Sequence, residues 1–328
     1  MPYYPQQPEE PRQKEPTPRK RSSAKRILLC VSALLILYGS VRLVLYGSVR
    51  LVLYISDLLS SRQTTQELRE VIAQTEETVE KAAPAAPATE PTTPIPEEAP
   101  TPEPVTAEAQ APSDKLPVME YPRGFELNKR IRELRKKSEY IIGWITMDDL
   151  DEPVVYKDNE FFLNHDPMGK KNGNGAIFLD RETKLVTRPY TLLLYGHNMK
   201  TGAMFGNLRK YEDFAYCFQH RMIQFDTLYE EGQYAIFAVA TISVTPGSNR
   251  YVSMSDIQST SRQLRQKALN KLNNLSLHGV ILDVNEEDQL LFLITCVGSD
   301  DERLVVAARR LREGERKESL QIKQSEGK

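Results

Sequence analysis

The chain has 328 residues, 40% of them apolar and 27% charged, with a formal net charge of −2. That balance argues against nucleic-acid binding, which needs a surplus of Lys and Arg to meet phosphates. Three scattered cysteines (Cys30, Cys217 and Cys296) without a CxxC pair exclude a disulfide scaffold and argue against a structural zinc site. The average hides uneven parts: 16 of the 21 prolines precede residue 118, six of them in the first 18 positions and ten between 82 and 118. No packed core forms at that proline density, so about a third of the chain is not domain.

Residues 1–26 are a Pro-rich basic tail with seven Lys/Arg against three Glu. Ile27–Val41 then runs for 15 residues without a charge and leads into a perfect tandem repeat, Leu37-Tyr-Gly-Ser-Val-Arg-Leu-Val44 and Leu45-Tyr-Gly-Ser-Val-Arg-Leu-Val52. One duplicated 8-residue unit is too little for a solenoid. It lengthens a hydrophobic helix toward the roughly 20 residues that a bilayer requires. Residues 27–54 are therefore expected to be a transmembrane anchor, with Arg42 or Arg50 snorkelling to the interface. A cleaved signal peptide is the rival reading. Its small-x-small site should follow the apolar core closely, yet the nearest, Ala83-Pro84-Ala85, is far downstream and contains proline. The retained anchor is favoured, with the basic tail in the cytoplasm and the rest of the chain outside.

Residues 55–81 show apolar positions at Leu68, Val71, Ile72, Thr75 and Val79, which predicts a juxtamembrane helix, solvated or weakly self-pairing. Residues 82–118 predict an extracellular Pro-rich linker, reaching up to roughly 110 Å at about 3.1 Å per residue. From 120 to 313 the composition is globular, and residues 314–328 are a charged tail.

The globular part opens with a helix carrying Leu127, Ile131 and Leu134 on one stripe. Strand-like runs follow at Ile141–Ile145, Pro153–Tyr156, Ala176–Asp180, Tyr190–Tyr195, Tyr234–Val244, Leu290–Thr295 and Leu304–Ala308. A late helix is predicted from Ile257, Ser261, Leu264, Ala268, Leu272 and Leu275. Many strands and few helices point to a β-barrel rather than a doubly wound sheet.

Chemistry has few candidates. The module lacks HExxH, GxSxG and a Walker loop. No cofactor or metal is expected. Cys296 ends the apolar run Leu290-Leu-Phe-Leu-Ile-Thr-Cys296, where a cysteine is more often inert packing than a nucleophile. Arg303 begins the next strand after a turn, so pairing of the two strands would bring it beside Cys296. His197 follows the strand Tyr190–Tyr195. Singly each is weak; three reactive types at strand ends make a joint case. His165, His220 and His278 are read as structural or surface residues, and Cys217 as packing.

The segment Leu194-Tyr-Gly-His-Asn-Met-Lys-Thr-Gly-Ala-Met-Phe-Gly-Asn-Leu208 resembles the histidine motif of class B sortases. Leu293-Ile-Thr-Cys296 with Arg303 resembles the family's cysteine and arginine motifs. Trp144-Ile145, Pro153-Val-Val155, Asp158-Asn159 and Gly175–Asp180 fit the same pattern. The resemblance implies an eight-stranded sortase barrel behind a single membrane helix in a Gram-positive bacterium. It also implies a cysteine transpeptidase that forms a thioacyl intermediate on a protein sorting signal. Cys296 would be the nucleophile, His197 the acid/base and Arg303 the oxyanion or substrate stabiliser. The partners would be surface or pilin proteins and an amine of the peptidoglycan precursor or a pilin. Pilin polymerisation, plain thiol hydrolysis and silent peptide binding stay open as alternatives.

Overall fold

The computed structural model describes residues 23–82, 114–122, 124–298 and 301–320, with side chains in the first stretch from 31 to 78. The chain divides into two compact units, residues 1–55 and 56–328. Helix α1 (Ser23–Ala82) runs through the boundary.

The described part of the first unit has a largely apolar surface: Leu34, Ile36, Leu43, Val44 and Val52 are each more than 60% exposed. It is a candidate membrane span by length and composition. Each copy of the repeat sets an arginine over the tyrosine one turn earlier, Arg42 on Tyr38 at 5.3 Å and Arg50 on Tyr46 at 5.2 Å. The expected basic tail, up to residue 22, lies outside the described residues.

The second unit is built on a closed barrel. Its elements in chain order are α2 (Lys129–Lys137), β1 (Ile141–Met147), β2 (Leu150–Val155), β3 (Ile177–Leu179), β4 (Thr191–Tyr195), α3 (Phe214–Gln219) and β5 (Met222–Thr227). They continue with β6 (Gln233–Ser243), α4 (Met254–Gln258), α5 (Arg262–Leu275), β7 (Leu290–Cys296) and β8 (Glu302–Arg310). Around the barrel the order is β1-β2-β3-β4-β7-β8-β6-β5, closed by β1 on β5. The β2–β3 and β4–β7 pairs are parallel and the others antiparallel.

The long apolar runs of β4 and β7 have a direct cause: both strands are covered on both faces. Leu192, Leu194, Leu291 and Leu293 point into the barrel with Ile145, Ile236 and Val306. Leu193, Phe292 and Ile294 point outward beneath Ile257, Leu269 and Leu272 of α4 and α5. A strand the sequence did not suggest, β5, hides its pattern because Asp226 is a buried acid, paired there with Arg130.

Four expectations need correction. The single late helix is two, each capped by a serine: Ser253 accepts from the Asp256 amide and Ser261 from the Leu264 amide. The buried stripe of α5 is Arg265, Ala268, Leu269 and Leu272, while Leu264 is 43% exposed. Arg265 is fully buried because its guanidinium donates to the carbonyls of Tyr190, Ile257, Glu286 and Asp288 and to the Thr191 hydroxyl, at 2.5–3.0 Å. Burial pulls its pKa down to about 10.

Most of the expected 82–118 linker lies outside the described residues, but its last part, from Asp114, is packed. Asp114 caps α5 through the Gln263 amide at 3.1 Å, and Leu116 is buried, bonded to Thr260 at 2.7 Å. The hydrogen bonds from Ser261 and Gln263 hold the Asp114 carboxyl below its usual range. The start of the charged tail is also part of the barrel, because Glu315 pairs with the buried Arg309 at 2.7 Å.

Residues 57–76 of α1 are expected as a juxtamembrane helix, solvated or weakly self-pairing. They pack on the barrel. Leu68 is buried in one cluster with Ile131, Leu134, Trp144 and Phe162. Ser61 and Thr65, one turn apart, are buried as well. Thr65 donates to Glu152 at 2.7 Å, Asn174 to Ser61 at 3.2 Å, and the Gly173 amide to Asp57 at 2.9 Å. Arg69 pairs with Asp151 at 2.8 Å and Glu76 with Arg130 at 2.9 Å. A hydropathy stripe does not register a face made of Ser, Thr and Asp, whose burial rests on hydrogen bonds.

Candidate active site

The three candidate residues share one rim of the barrel. β7 and β8 are antiparallel in a register that sets Cys296 directly opposite Arg303. On the other side of β7, parallel β4 pairs Tyr195 with Ile294. His197 lies two residues past Tyr195 and Cys296 two past Ile294, so both follow the last paired position of the two strands.

Thiol exposure separates the two described cysteines. Cys296 is exposed, whereas Cys217 is buried in α3 among the barrel's interior residues. Burial pushes the Cys217 thiol up to about 12, with nearby Arg221 only partly opposing. A thiol held protonated is a poor nucleophile. The reading of Cys217 as packing and Cys296 as a rim residue fits this geometry.

The His197 ring is held by the loop before β3: its Nε2 lies 2.7 Å from the Leu163 carbonyl. A carbonyl can only accept, so Nε2 is the donor in this contact. Arg303 donates through one Nη to the Glu302 carbonyl at 2.9 Å. Its charge also reaches Tyr195, whose hydroxyl is raised above its usual range by burial and by Asp180, with Arg303 opposing.

The other histidines are engaged elsewhere. His165 stacks on Phe161 with ring centres 3.9 Å apart, His220 meets Asp148 at 2.9 Å, and buried His278 bonds the Tyr211 carbonyl at 2.7 Å. Among the described residues, no group of three or more His, Cys, Asp or Glu could hold a metal ion.

Two neighbours of the candidates escaped sequence reasoning. Thr295 donates to the Gly196 carbonyl at 2.7 Å and Asn198 to the Cys296 carbonyl at 2.9 Å. Their only signal in the sequence is adjacency to Cys296 and His197. The bonds go to backbone carbonyls, which a sequence does not display.

Residues 147–311, half of the chain, match the sortase domain model. Sortase B of Listeria monocytogenes is 27% identical over 176 residues, covering 52% of this chain and 68% of that protein. Sortase B of Staphylococcus aureus is 27% identical over 186 residues, with 55% and 74% covered. A solved Bacillus anthracis protein described as similar to sortase B superposes with a TM-score of 0.51 at 32% identity, over 60% of this chain and 88% of that one.

The chain belongs to the class B sortase family. Sortases are cysteine transpeptidases, and the eight-stranded barrel expected from the sequence motifs is the fold observed. A Staphylococcus aureus sortase B–substrate complex also matches, with TM-score 0.51 and 25% identity over 57% of this chain and 87% of that one. The three candidate residues lie at the rim where β4 and β7 end and β8 begins. Among the described thiols only that of Cys296 is exposed.

Proposed function

We propose that this sortase is a membrane-anchored transpeptidase in which Cys296 is the nucleophile, His197 the proton carrier and Arg303 the stabiliser of developing negative charge. The observation that carries the reading is the placement of an exposed thiol opposite an arginine, with a histidine at the end of the next strand.

In the first half-reaction the Cys296 sulfur attacks the scissile carbonyl of a sorting signal. The C–N bond breaks, and the departing amine takes a proton from His197. Arg303 offers a fixed positive charge and a fork of donors to the oxyanion or the substrate backbone. In the second half-reaction an acceptor amine gives a proton to His197 and attacks the thioester. A new C–N bond forms, the C–S bond breaks, and the thiolate is restored. A sortase B structure complexed with triglycine supports a glycine-type amine as acceptor. The apolar part of α1 would hold the enzyme in the membrane, with the basic tail inside and the barrel outside.

The test uses a fluorescence-quenched pentapeptide library with triglycine as acceptor, read by mass spectrometry. Cys296→Ala should abolish cleavage and the thioacyl adduct, Cys217→Ala should keep both, and triglycine should convert free acid into amide product. A Cys296→Ala protein that still turns over would remove Cys296 as the nucleophile. Free acid alone at every triglycine concentration would remove a glycine-type amine as acceptor.

A further inference from the structure

We infer that Thr295 and Asn198 are a pair of positioning residues that lock His197 and Cys296 in mutual register. The inference rests on the proposed roles of those two residues.

The backbone ladder stops short of both. The last bond between the parallel strands runs from the Gly196 amide to the Ile294 carbonyl at 3.3 Å. Beyond it β4 bends into a loop, closed by the Phe205 amide on the His197 carbonyl at 3.0 Å and by an Asn198–Met204 bridge. β7 continues with β8, which holds Cys296 opposite Arg303 and the Val297 amide on Glu302 at 3.2 Å. The backbone thus fixes Cys296 to Arg303 but not to His197.

Two side chains cross that gap in opposite directions. Thr295, the residue before Cys296, donates its hydroxyl to Gly196, the residue before His197, at 2.7 Å. Asn198, the residue after His197, donates its amide to the carbonyl of Cys296 itself at 2.9 Å. Each bond starts next to one reactive residue and ends on or next to the other. If Thr295 only filled space, valine would serve a buried strand position better and leave no hydroxyl to satisfy. With both bonds made, the backbones that carry the ring and the sulfur are tied together before substrate arrives, and acylation is sensitive to such placement.

The experiment measures kcat and KM on the best-cleaved pentapeptide of the library with triglycine, in full-length enzyme in detergent. The variants are Thr295→Val, Thr295→Ser and Asn198→Ala, with Cys296→Ala as control. Mass spectrometry after treatment with the thiol reagent MTSET checks that Cys296 stays accessible. The expected result is a roughly 10- to 100-fold fall in kcat for Thr295→Val and Asn198→Ala. KM should stay within about twofold, and Thr295→Ser should approach the wild type because it keeps the hydroxyl. If Thr295→Val fails to fold, Asn198→Ala, at a partly exposed position, decides alone. Wild-type kcat in Asn198→Ala, or a loss confined to KM, would overturn the inference while an inactive Cys296→Ala leaves the proposed site standing. Activity in Cys296→Ala would overturn both.

Discussion

Residues 57–76 of α1 lie against the barrel through side chains: Leu68 in the core, Thr65 on Glu152, Asp57 on Gly173 and Arg69 on Asp151. At the rim where β4 and β7 end, backbone ladders carry the chain up to the reactive residues and side-chain bonds only finish the job. One region is a docked helix whose attachment depends on a few polar and apolar contacts. The other is the continuation of two strands buried along almost their whole length. The contrast teaches where each is vulnerable: the rim in rate, the docked helix in local stability.

The largest effect is expected at the rim. Arg303→Lys keeps the charge and loses the fork of donors, so kcat/KM should fall roughly 10²–10³-fold, or about 2.7–4 kcal/mol. Steady-state kinetics would show this with an unchanged melting temperature. An Arg303→Lys enzyme near wild-type rate would remove the distinction between the regions at this residue.

At the docked helix the expected loss is in stability. Leu68→Ala removes the apolar anchor and should cost toward the lower end of the ~2–5 kcal/mol seen for buried leucines, because a surface helix can settle into the space. Hydrogen exchange of the amides of residues 57–72 should rise while turnover of the pentapeptide stays at the wild-type level. A matching loss of turnover would show that docking and catalysis are coupled.

Acidity should act on the docked helix through Glu152. Burial against the helix pushes its carboxyl up to about 7, and Asp151 adds to this, while Thr65 and Arg69 oppose. The docked state therefore binds a proton that the undocked carboxyl, near its ordinary 4.5, has released. Docking should strengthen as pH falls from about 7 toward about 4.5 and level off below. Exchange of residues 57–72, corrected for the intrinsic rate, should slow over that window. Glu152→Gln should flatten the profile, and an unchanged slope in that variant would exclude Glu152 as the source.

The smallest effect is expected from Arg69→Ala. Both partners of the Arg69–Asp151 pair are more than 40% exposed, so its loss should change docking by less than about 1 kcal/mol. Exchange rates should move little, and a change as large as that of Leu68→Ala would mean that charge rather than packing holds the helix.

Much of the rim was legible in the sequence. The runs before His197 and Cys296 are apolar apart from Thr191 and Thr295 because β4 and β7 are covered on both faces, and a reactive residue just past such a run lies at a strand end. Less was legible where polar residues do the packing. The α5 stripe was misplaced because Arg265, a charged residue, takes an inward position by donating to four backbone carbonyls. β5 was missed because Asp226 is buried on Arg130, a partner 96 residues away.

By itself the sequence determined the β-barrel class, the apolar helix ahead of it and the motifs that mark a class B sortase, because these follow from local periodicity, run length and short residue patterns. Only the tertiary structure decided that residues 57–76 are docked, that Asp114 and Glu315 belong to the barrel unit, and that Thr295 and Asn198 bridge the two strand ends. Each of these rests on a hydrogen bond or contact between residues distant in the chain, often to a backbone carbonyl. Such bonds form only after the fold has brought both ends together.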